Sequence, residues 1–173
     1  MRKLLRVFAP VALISVAALL ALFLTNRSTG DSDEVDTVRV VKSERRLYLL
    51  RGEEILATYR VSFGSDPEGH KLEEGDGRTP EGRYVLDYKN QNSAFYKSIH
   101  VSYPNAEDRK DAARRKVSPG GDIMIHGQKN GWGWLSRLSQ FVNWTDGCIA
   151  LSDEDMEQVW ELVSVGTPIE IRP

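Results

Sequence analysis

Cysteine and histidine are scarce in this chain of 173 residues, which has one cysteine and three histidines. A single cysteine cannot form an internal disulfide, so Cys148 is either a small buried side chain or a reactive thiol. Concentrated positive charge is also missing, because the net charge is -2 and the basic residues within 107–116 alternate with acidic ones. A nucleic-acid-binding face requires clustered lysine and arginine. The composition therefore predicts no nucleic-acid partner.

Long apolar runs are absent except at the amino-terminal end, where residues 7–24 are nearly all apolar. As a helix this run would span roughly 27 Å, close to the hydrocarbon thickness of a bilayer. Three positive charges precede it and one follows, which favours a cytoplasmic amino terminus and an exported domain. We interpret residues 1–24 as an uncleaved membrane anchor, the alternative being a cleaved signal segment with a weak site at Ser28-Thr29-Gly30. Residues 25–35 are predicted to be a polar linker.

The remainder of the chain has mainly the pattern of β-strands, with a long Gly- and Asp-rich loop at 64–80. Helices are predicted over 106–116, behind an Asn105 cap, and over 152–163, behind a Ser152 cap. Apolar residues at helical spacing predict a further helix over 134–142. Strands are predicted at 35–41, 46–50, 55–63, 84–88, 98–103, 122–126 and 168–172. The sum is one β-rich α+β domain over residues 36–172.

Two residues suited to nucleophilic catalysis stand at the ends of one long excursion of the chain. His126 ends an apolar strand-like run. Eighteen residues, from Gly127 to Trp144, separate it from Thr145-Asp146-Gly147-Cys148. A neighbouring imidazole lowers the pKa of a thiol and accepts its proton, and the start of a helix at Ser152 would favour the thiolate. The backbone amides near Gly147 could bind an oxyanion. Spacing alone leaves a buried structural cysteine as the alternative.

The other candidate residues favour structural roles. His70 lies in the polar loop and His100 alternates with apolar residues on a predicted strand, so neither is predicted to be catalytic. The three histidines show no ligand spacing for zinc, and we predict no metal and no cofactor. Three tryptophans flank the excursion and could form a lid or a sugar platform, with core packing as the alternative. These are Trp132, Trp134 and Trp144.

Three segments, in order over about 135 residues, resemble the L,D-transpeptidase catalytic domain family of bacterial cell-wall enzymes. The family signature is a strand ending in His-Gly or His-Ser, a spacer of 15 to 18 residues, and Ser/Thr-x-Gly-Cys before an apolar residue. The chain has Ile125-His126-Gly127 and then Thr145-Asp146-Gly147-Cys148-Ile149. Residues 77–84 and 166–171 match the Thr-Pro-x-Gly-x-Tyr segment and the closing strand. The resemblance implies an L,D-transpeptidase-like β-sandwich with a few short helices.

Roles for the site residues are carried over from the resemblance. It implies that Cys148 is the nucleophile, that His126 is its base and then its acid, and that the Gly127 carbonyl orients the imidazole. Gly147 and Cys148 would supply oxyanion amides, and Thr145 occupies the family's Ser/Thr position. Asp146 replaces a frequent histidine, and either belongs to a turn or contacts a diaminopimelate amine. Ala150 replaces a common Arg or Asn, so carboxylate recognition by an arginine is not implied here.

The resemblance implies a periplasmic enzyme that acts on peptidoglycan stem peptides, held at the inner membrane by residues 7–24 or secreted if that segment is cleaved. Cys148 would attack the carbonyl of the third stem residue, release D-alanine and pass the acyl group to an amine. The first alternative is a hydrolase with the same site, which trims tetrapeptides or cleaves the link to an outer-membrane lipoprotein. The second is a wall-binding module with an inert cysteine.

Overall fold

Eight strands, joined edge to edge into one mixed sheet, form the framework of the protein. They are described in a computed structural model, which covers residues 34–173; the side chain of Arg137 is not described. The sheet order is β3-β2-β1-β8-β4-β5-β6-β7. The strands are β1 Thr37–Val41, β2 Arg46–Arg51, β3 Glu54–Arg60, β4 Gly82–Asn90, β5 Ser98–Val101, β6 Met124–His126, β7 Ile149–Ala150 and β8 Pro168–Arg172.

β4 connects the two halves of the sheet. Its first residues, Gly82 to Val85, pair with β8, and its later residues, from Leu86, pair with β5. β8 also pairs in parallel with β1, so it lies between β1 and β4 in the sheet. The β-rich α+β class is confirmed. The strands predicted as a sandwich are hydrogen bonded into one continuous sheet, because β4 takes part in both halves.

Two ten-residue helices begin at the predicted caps. In α1, Ala106–Arg115, the Asn105 side chain accepts from the Glu107 and Asp108 amides, and the Asp108 carboxylate accepts from the Asn105 amide. This reciprocal pair satisfies amides that the first turn leaves without partners. The later helix, Asp153–Leu162, has Ser152 as its cap. Both helix predictions are confirmed to within one residue at each end.

The core lies where alternate side chains of both sheet halves meet the later helix. Val38 and Val40 of β1 are fully buried, and so are Ile99 of β5 and Ile125 of β6. The helix adds Met156 and Val159, which stand three residues apart on one face. The core is therefore formed by every second side chain of the strands and by side chains three residues apart on the helix.

The excursion between β6 and β7 differs from the prediction. The structure has a 3₁₀ turn at Gly133–Leu135 and a four-residue helix, α2, at Ser136–Ser139, with α3 then being Asp153–Leu162. Its apolar side chains are exposed: Trp134 by 79%, Leu138 by 67% and Phe141 by 64%. Because most helical stability in proteins comes from packing of an apolar face, these exposed side chains do not stabilise a long helix, and the predicted helix over 134–142 is wrong.

The predicted membrane anchor and almost all of the predicted linker lie outside the described residues. Within residues 34–173, no helix combines the length and the apolar character that a membrane crossing requires.

Candidate active site

The parallel pairing of β6 and β7 brings Cys148 and His126 to one pocket. His126 is the last residue of β6 and is opposite Ala150, while Ile125 is opposite Ile149. Cys148, immediately before β7, is therefore level with Met124. The pocket has a volume of about 360 Å³. Its lining is Asn90, Ser93, Ala94, Phe95, Ser98, Asp122, Met124, His126, Trp144, Thr145, Asp146 and Cys148.

His126 is held by one hydrogen bond and two aromatic rings. Its Nδ1 is 2.6 Å from the carbonyl oxygen of Gly127, and its ring centroid is 4.8 Å from Phe95 and 5.7 Å from Trp144. Because a carbonyl can only accept, Nδ1 carries the proton and Nε2 is the basic nitrogen. Burial lowers the pKa of His126, and the bond to Gly127 opposes this only partly. The imidazole is therefore neutral at pH 7.

The environment of Cys148 raises the pKa of its thiol. Burial is the main cause, the carboxylates of Asp146 and Asp122 add to it, and the Met124 amide and Lys71 oppose it. The Met124 amide donates to Sγ at 3.4 Å, and Sγ is 3.6 Å from the Asp122 carbonyl oxygen. This direction is opposite to the lowered thiol pKa expected from the sequence.

Two contributions that would lower the thiol pKa are missing or weakened. Within residues 34–173, no hydrogen bond joins the thiol to His126, so the imidazole does not stabilise a thiolate in the free protein. The positive end of α3 is opposed by three acidic residues in its first turn, Asp153, Glu154 and Asp155. The resting pair is therefore a neutral thiol and a neutral imidazole.

Thr145 fixes the turn that precedes the cysteine. Its hydroxyl donates to the Cys148 carbonyl at 2.8 Å and accepts from the Gly147 amide at 3.2 Å. The Gly147 amide, expected to bind an oxyanion, is thus already occupied. The Cys148 amide has no hydrogen-bond partner within residues 34–173 and remains available as an oxyanion donor. Asp146, between Thr145 and Gly147, is exposed at the pocket mouth.

Close glycine packing holds the loop of residues 64–80 against this turn. A Cβ on Gly147 would lie 2.5 Å from the Arg78 carbonyl oxygen, and the φ of Gly147 is +124°. A Cβ on Gly64 would lie 1.9 Å from the Gly77 carbonyl oxygen and 3.0 Å from the Gly147 Cα. The Ser65 amide donates to the Thr145 carbonyl at 3.0 Å. The long loop therefore supports the cysteine turn directly.

A second group of hydrogen bonds ties the excursion to the start of α3. The Gln128 amide donates to Asp153 Oδ1 at 2.7 Å, and the Gln128 side chain donates to the Leu151 carbonyl at 2.6 Å. The Ser139 hydroxyl donates to Gln128 Oε1 at 2.7 Å. Asp153 also lies so close to Gly127 that a Cβ there would be 2.7 Å from its Oδ1. The residue after the histidine is therefore fixed by α3.

The remaining histidines lie outside the pocket. His70 accepts from the Glu81 amide at 2.9 Å and is 3.2 Å from the Asp108 carboxylate. His100 is 2.6 Å from Asp87 and stacks on a tyrosine ring. Residues 34–173 contain no group of three or more His, Cys, Asp or Glu side chains suited to hold a metal ion. A larger cavity, of about 410 Å³ near Lys42, has neither a cysteine nor a histidine in its lining.

Sequence reasoning missed several residues that shape the site. Asp122 adds both a carbonyl contact and a carboxylate beside the thiol, and its φ is +54°. Phe95, from the loop before β5, packs its ring at a tilt against His126 across a large sequence separation. Asp153 reads in sequence as an ordinary first-turn acid. None of these had a local pattern that pointed to the pocket.

Comparisons with known proteins agree on one family. The sequence profile of the YkuD family, described as the L,D-transpeptidase catalytic domain, matches residues 36–171. The provisionally named L,D-transpeptidase YafK of Escherichia coli (strain K12) is 28% identical over 134 residues, which is 73% of this chain and 46% of YafK. The chain therefore spans about half the length of this curated relative.

Solved structures extend the comparison to the fold. Pgp2 of Campylobacter jejuni, a helical cell shape determining protein, superposes with a TM-score of 0.60 at 27% identity, covering 79% of this chain and 47% of Pgp2. An L,D-transpeptidase of Mycobacterium smegmatis gives a TM-score of 0.54 at 17% identity, covering 81% of this chain and 59% of that protein. The second likeness supports the fold alone.

Proposed function

Since this chain belongs to the L,D-transpeptidase catalytic domain family, we propose that it is a cysteine acyltransferase acting on peptidoglycan stem peptides. The observation that carries the proposal is the placement of Cys148 and His126 on one pocket, with the imidazole Nδ1 bonded to the Gly127 carbonyl. This bond leaves Nε2 as a base beside the space where a substrate carbonyl would sit. Cys148 is the only thiol in the pocket lining, and His126 is the only imidazole.

The reaction begins from the neutral pair. On substrate binding, the Cys148 thiol transfers its proton to His126 Nε2 as sulfur attacks the carbonyl of the third stem residue. The tetrahedral oxyanion accepts a hydrogen bond from the Cys148 amide. Collapse breaks the peptide bond, and His126 protonates the departing amine of D-alanine. The product is a thioester on Cys148 with a neutral imidazole.

The second half returns the thiol. A neutral amine of another stem peptide attacks the thioester carbonyl, and His126 removes its proton. The thioester bond then breaks, the thiolate takes the proton back, and a new amide is released. The raised thiol pKa suits this step, since the proton returns readily to sulfur, although a basic thiolate is the poorer leaving group.

Hydrolysis at the same thioester is the second candidate. Cys148 is partly exposed, and Asp146 at the pocket mouth is exposed, so water can reach the acyl group. Water would then replace the amine, giving a tripeptide from a tetrapeptide or releasing an anchored lipoprotein from the wall. The catalytic roles of Cys148 and His126 are the same in both reactions.

Mass spectrometry of products decides between these reactions. The full chain is incubated with disaccharide-tetrapeptide, beside Cys148→Ala and the matched variant Ser164→Ala, which changes an exposed residue outside the pocket lining. We expect a cross-linked dimer that has lost D-alanine, absent only in Cys148→Ala. Tripeptide without dimer would establish a hydrolase. No product and no acyl adduct, from this substrate or from lipoprotein-linked peptide, would favour a wall-binding module.

We further propose that the domain acts in the periplasm, where the substrate is, held there by the apolar run of residues 7–24. A reporter that is active only outside the cytoplasm, fused after Pro173, should be active. Fractionation of the envelope should place the chain with the inner membrane. Recovery in the soluble periplasmic fraction, with a shortened amino terminus, would instead support a cleaved signal segment.

A further inference from the structure

A second pocket adjoins the one that contains Cys148, on the other side of the Trp144 ring. It has a volume of about 260 Å³. Its lining is Gln128, Lys129, Trp132, Leu135, Ser139 and Trp144. Trp144 belongs to the walls of both pockets, so a ligand that occupies one is adjacent to the other. We call this second pocket the tryptophan pocket.

The wall of the tryptophan pocket is apolar because its polar side chains bond to the protein. The two ends of the Gln128 amide are taken by the Leu151 carbonyl and the Ser139 hydroxyl. The Ser139 hydroxyl also lies 2.9 Å from the Ser136 carbonyl oxygen, a second acceptor for its hydrogen. The surfaces left to a ligand are the faces of two indole rings and Leu135. An occupant must therefore present an apolar face.

The rim of the pocket adds a hydrogen-bond donor. Lys129 is exposed and lies in the lining of the pocket. Trp132 stands beside it with 54% of its surface exposed, so core packing does not account for this ring. An apolar face next to a polar edge is the surface of an N-acetylated pyranose. Its axial C–H groups stack on aromatic rings, while its hydroxyl groups and acetamido carbonyl accept hydrogen bonds.

From this geometry we propose that the tryptophan pocket is a saccharide subsite, which binds the sugar that bears the stem peptide. The inference rests on the proposed function, which supplies the substrate. It goes further by assigning a binding site to the glycan part of that substrate. The sugar and the third stem residue are separated by two residues and a short acyl group. An extended chain of this length covers about 10 Å, enough to pass from one side of Trp144 to the other.

Ligand binding to the inactive full chain, Cys148→Ala, tests the subsite without catalysis. Disaccharide-tetrapeptide and free tetrapeptide are titrated by calorimetry. The sugar should improve affinity by roughly three- to tenfold, the range expected for one aromatic stacking contact. Adding Trp132→Ala should remove most of that gain. The matched change Trp134→Ala, in a ring that is 79% exposed and outside the pocket lining, should keep it.

The outcomes separate this inference from the proposed function. Equal affinity for both ligands, or an equal loss with Trp134→Ala, would overturn the subsite, whether or not the wild-type chain turns over either ligand. A Trp132-dependent gain in binding, without turnover of any stem peptide, would keep the subsite and overturn the catalytic proposal. Self-association or vesicle binding that depends on Trp132, with no preference for the sugar, would assign the pocket to another partner and also overturn the inference.

Discussion

Replacing Gly64 with alanine tests how strongly the long loop supports the cysteine turn. The new Cβ would be 1.9 Å from the Gly77 carbonyl oxygen, whereas real Cβ contacts essentially never fall below 3.0 Å. The carbonyl must therefore retreat by more than 1 Å. This strains its hydrogen bond from the Asp66 amide, which is 3.1 Å long. The obstructing atoms are backbone, so a side-chain rotation cannot relieve the contact.

The cost of Gly64→Ala can be estimated from these contacts. Overpacking a tight site costs about 1–3 kcal/mol, and a weakened backbone hydrogen bond adds about 1 kcal/mol. For a domain of this size, the sum lowers the melting temperature by roughly 5–15 °C. Because the new Cβ would also be 3.0 Å from the Gly147 Cα, turnover should fall even at temperatures where the variant is folded.

Circular dichroism melting and product assays measure both effects. The matched control is Gly121→Ala, whose Cβ would have its nearest neighbour, Pro104 Cδ, at 4.0 Å. It should melt within about 1 °C of the wild type, since it adds neither a clash nor a left-handed backbone conformation. If Gly64→Ala melts and turns over like Gly121→Ala, the loop does not position the cysteine turn.

Four further predictions concern the ionisable groups in and around the site. Because burial and carboxylates raise the thiol pKa, alkylation of Cys148 should keep accelerating above pH 8.5, and a plateau near pH 7 would contradict the neutral resting pair. The acid limb of kcat/KM should lie below pH 6.5, since burial lowers the pKa of His126; His126→Ala should reduce kcat at least a hundredfold while changing alkylation at pH 9 little. Asp146→Asn should speed alkylation at pH 8 about twofold, and an unchanged rate would exclude its carboxylate as a cause. Asp153→Ala should destabilise the domain by about 1–3 kcal/mol in urea unfolding, whereas Asp153→Asn, which still accepts from the Gln128 amide, should retain most of that stability.

The parts of the fold that follow short-range rules could be predicted from the sequence. Asn105 and Ser152 are predicted to be helix caps because each precedes a segment with the pattern of a helix. Both cap their helices. The convergence of Cys148 and His126 was expected because each adjoins a strand-like apolar run. Their presence on one pocket lining agrees with that expectation, while their catalytic roles stay predictions.

The predictions that failed concern properties set by residues that are close in space but distant in sequence. The thiol pKa is raised by Asp122 and by burial, and neither can be read from the residues next to Cys148. The spacing of Trp134 and Leu138 predicts a buried helix face, but both side chains are exposed. β7 has only two residues, too few to produce a pattern, although it sets the level of the cysteine.

The position of β8 has a consequence for how the protein is made. β8 follows every other strand along the chain, yet it is the strand that joins β1 to β4. A nascent chain can form the β1–β2–β3 meander early, but β1 has no partner on its β4 side of the sheet until β8 has been synthesised. Pairings this distant in sequence form slowly. We therefore expect the sheet to become continuous only after synthesis of β8, whereas the bridge between Ser62 and Ala150 can form before it.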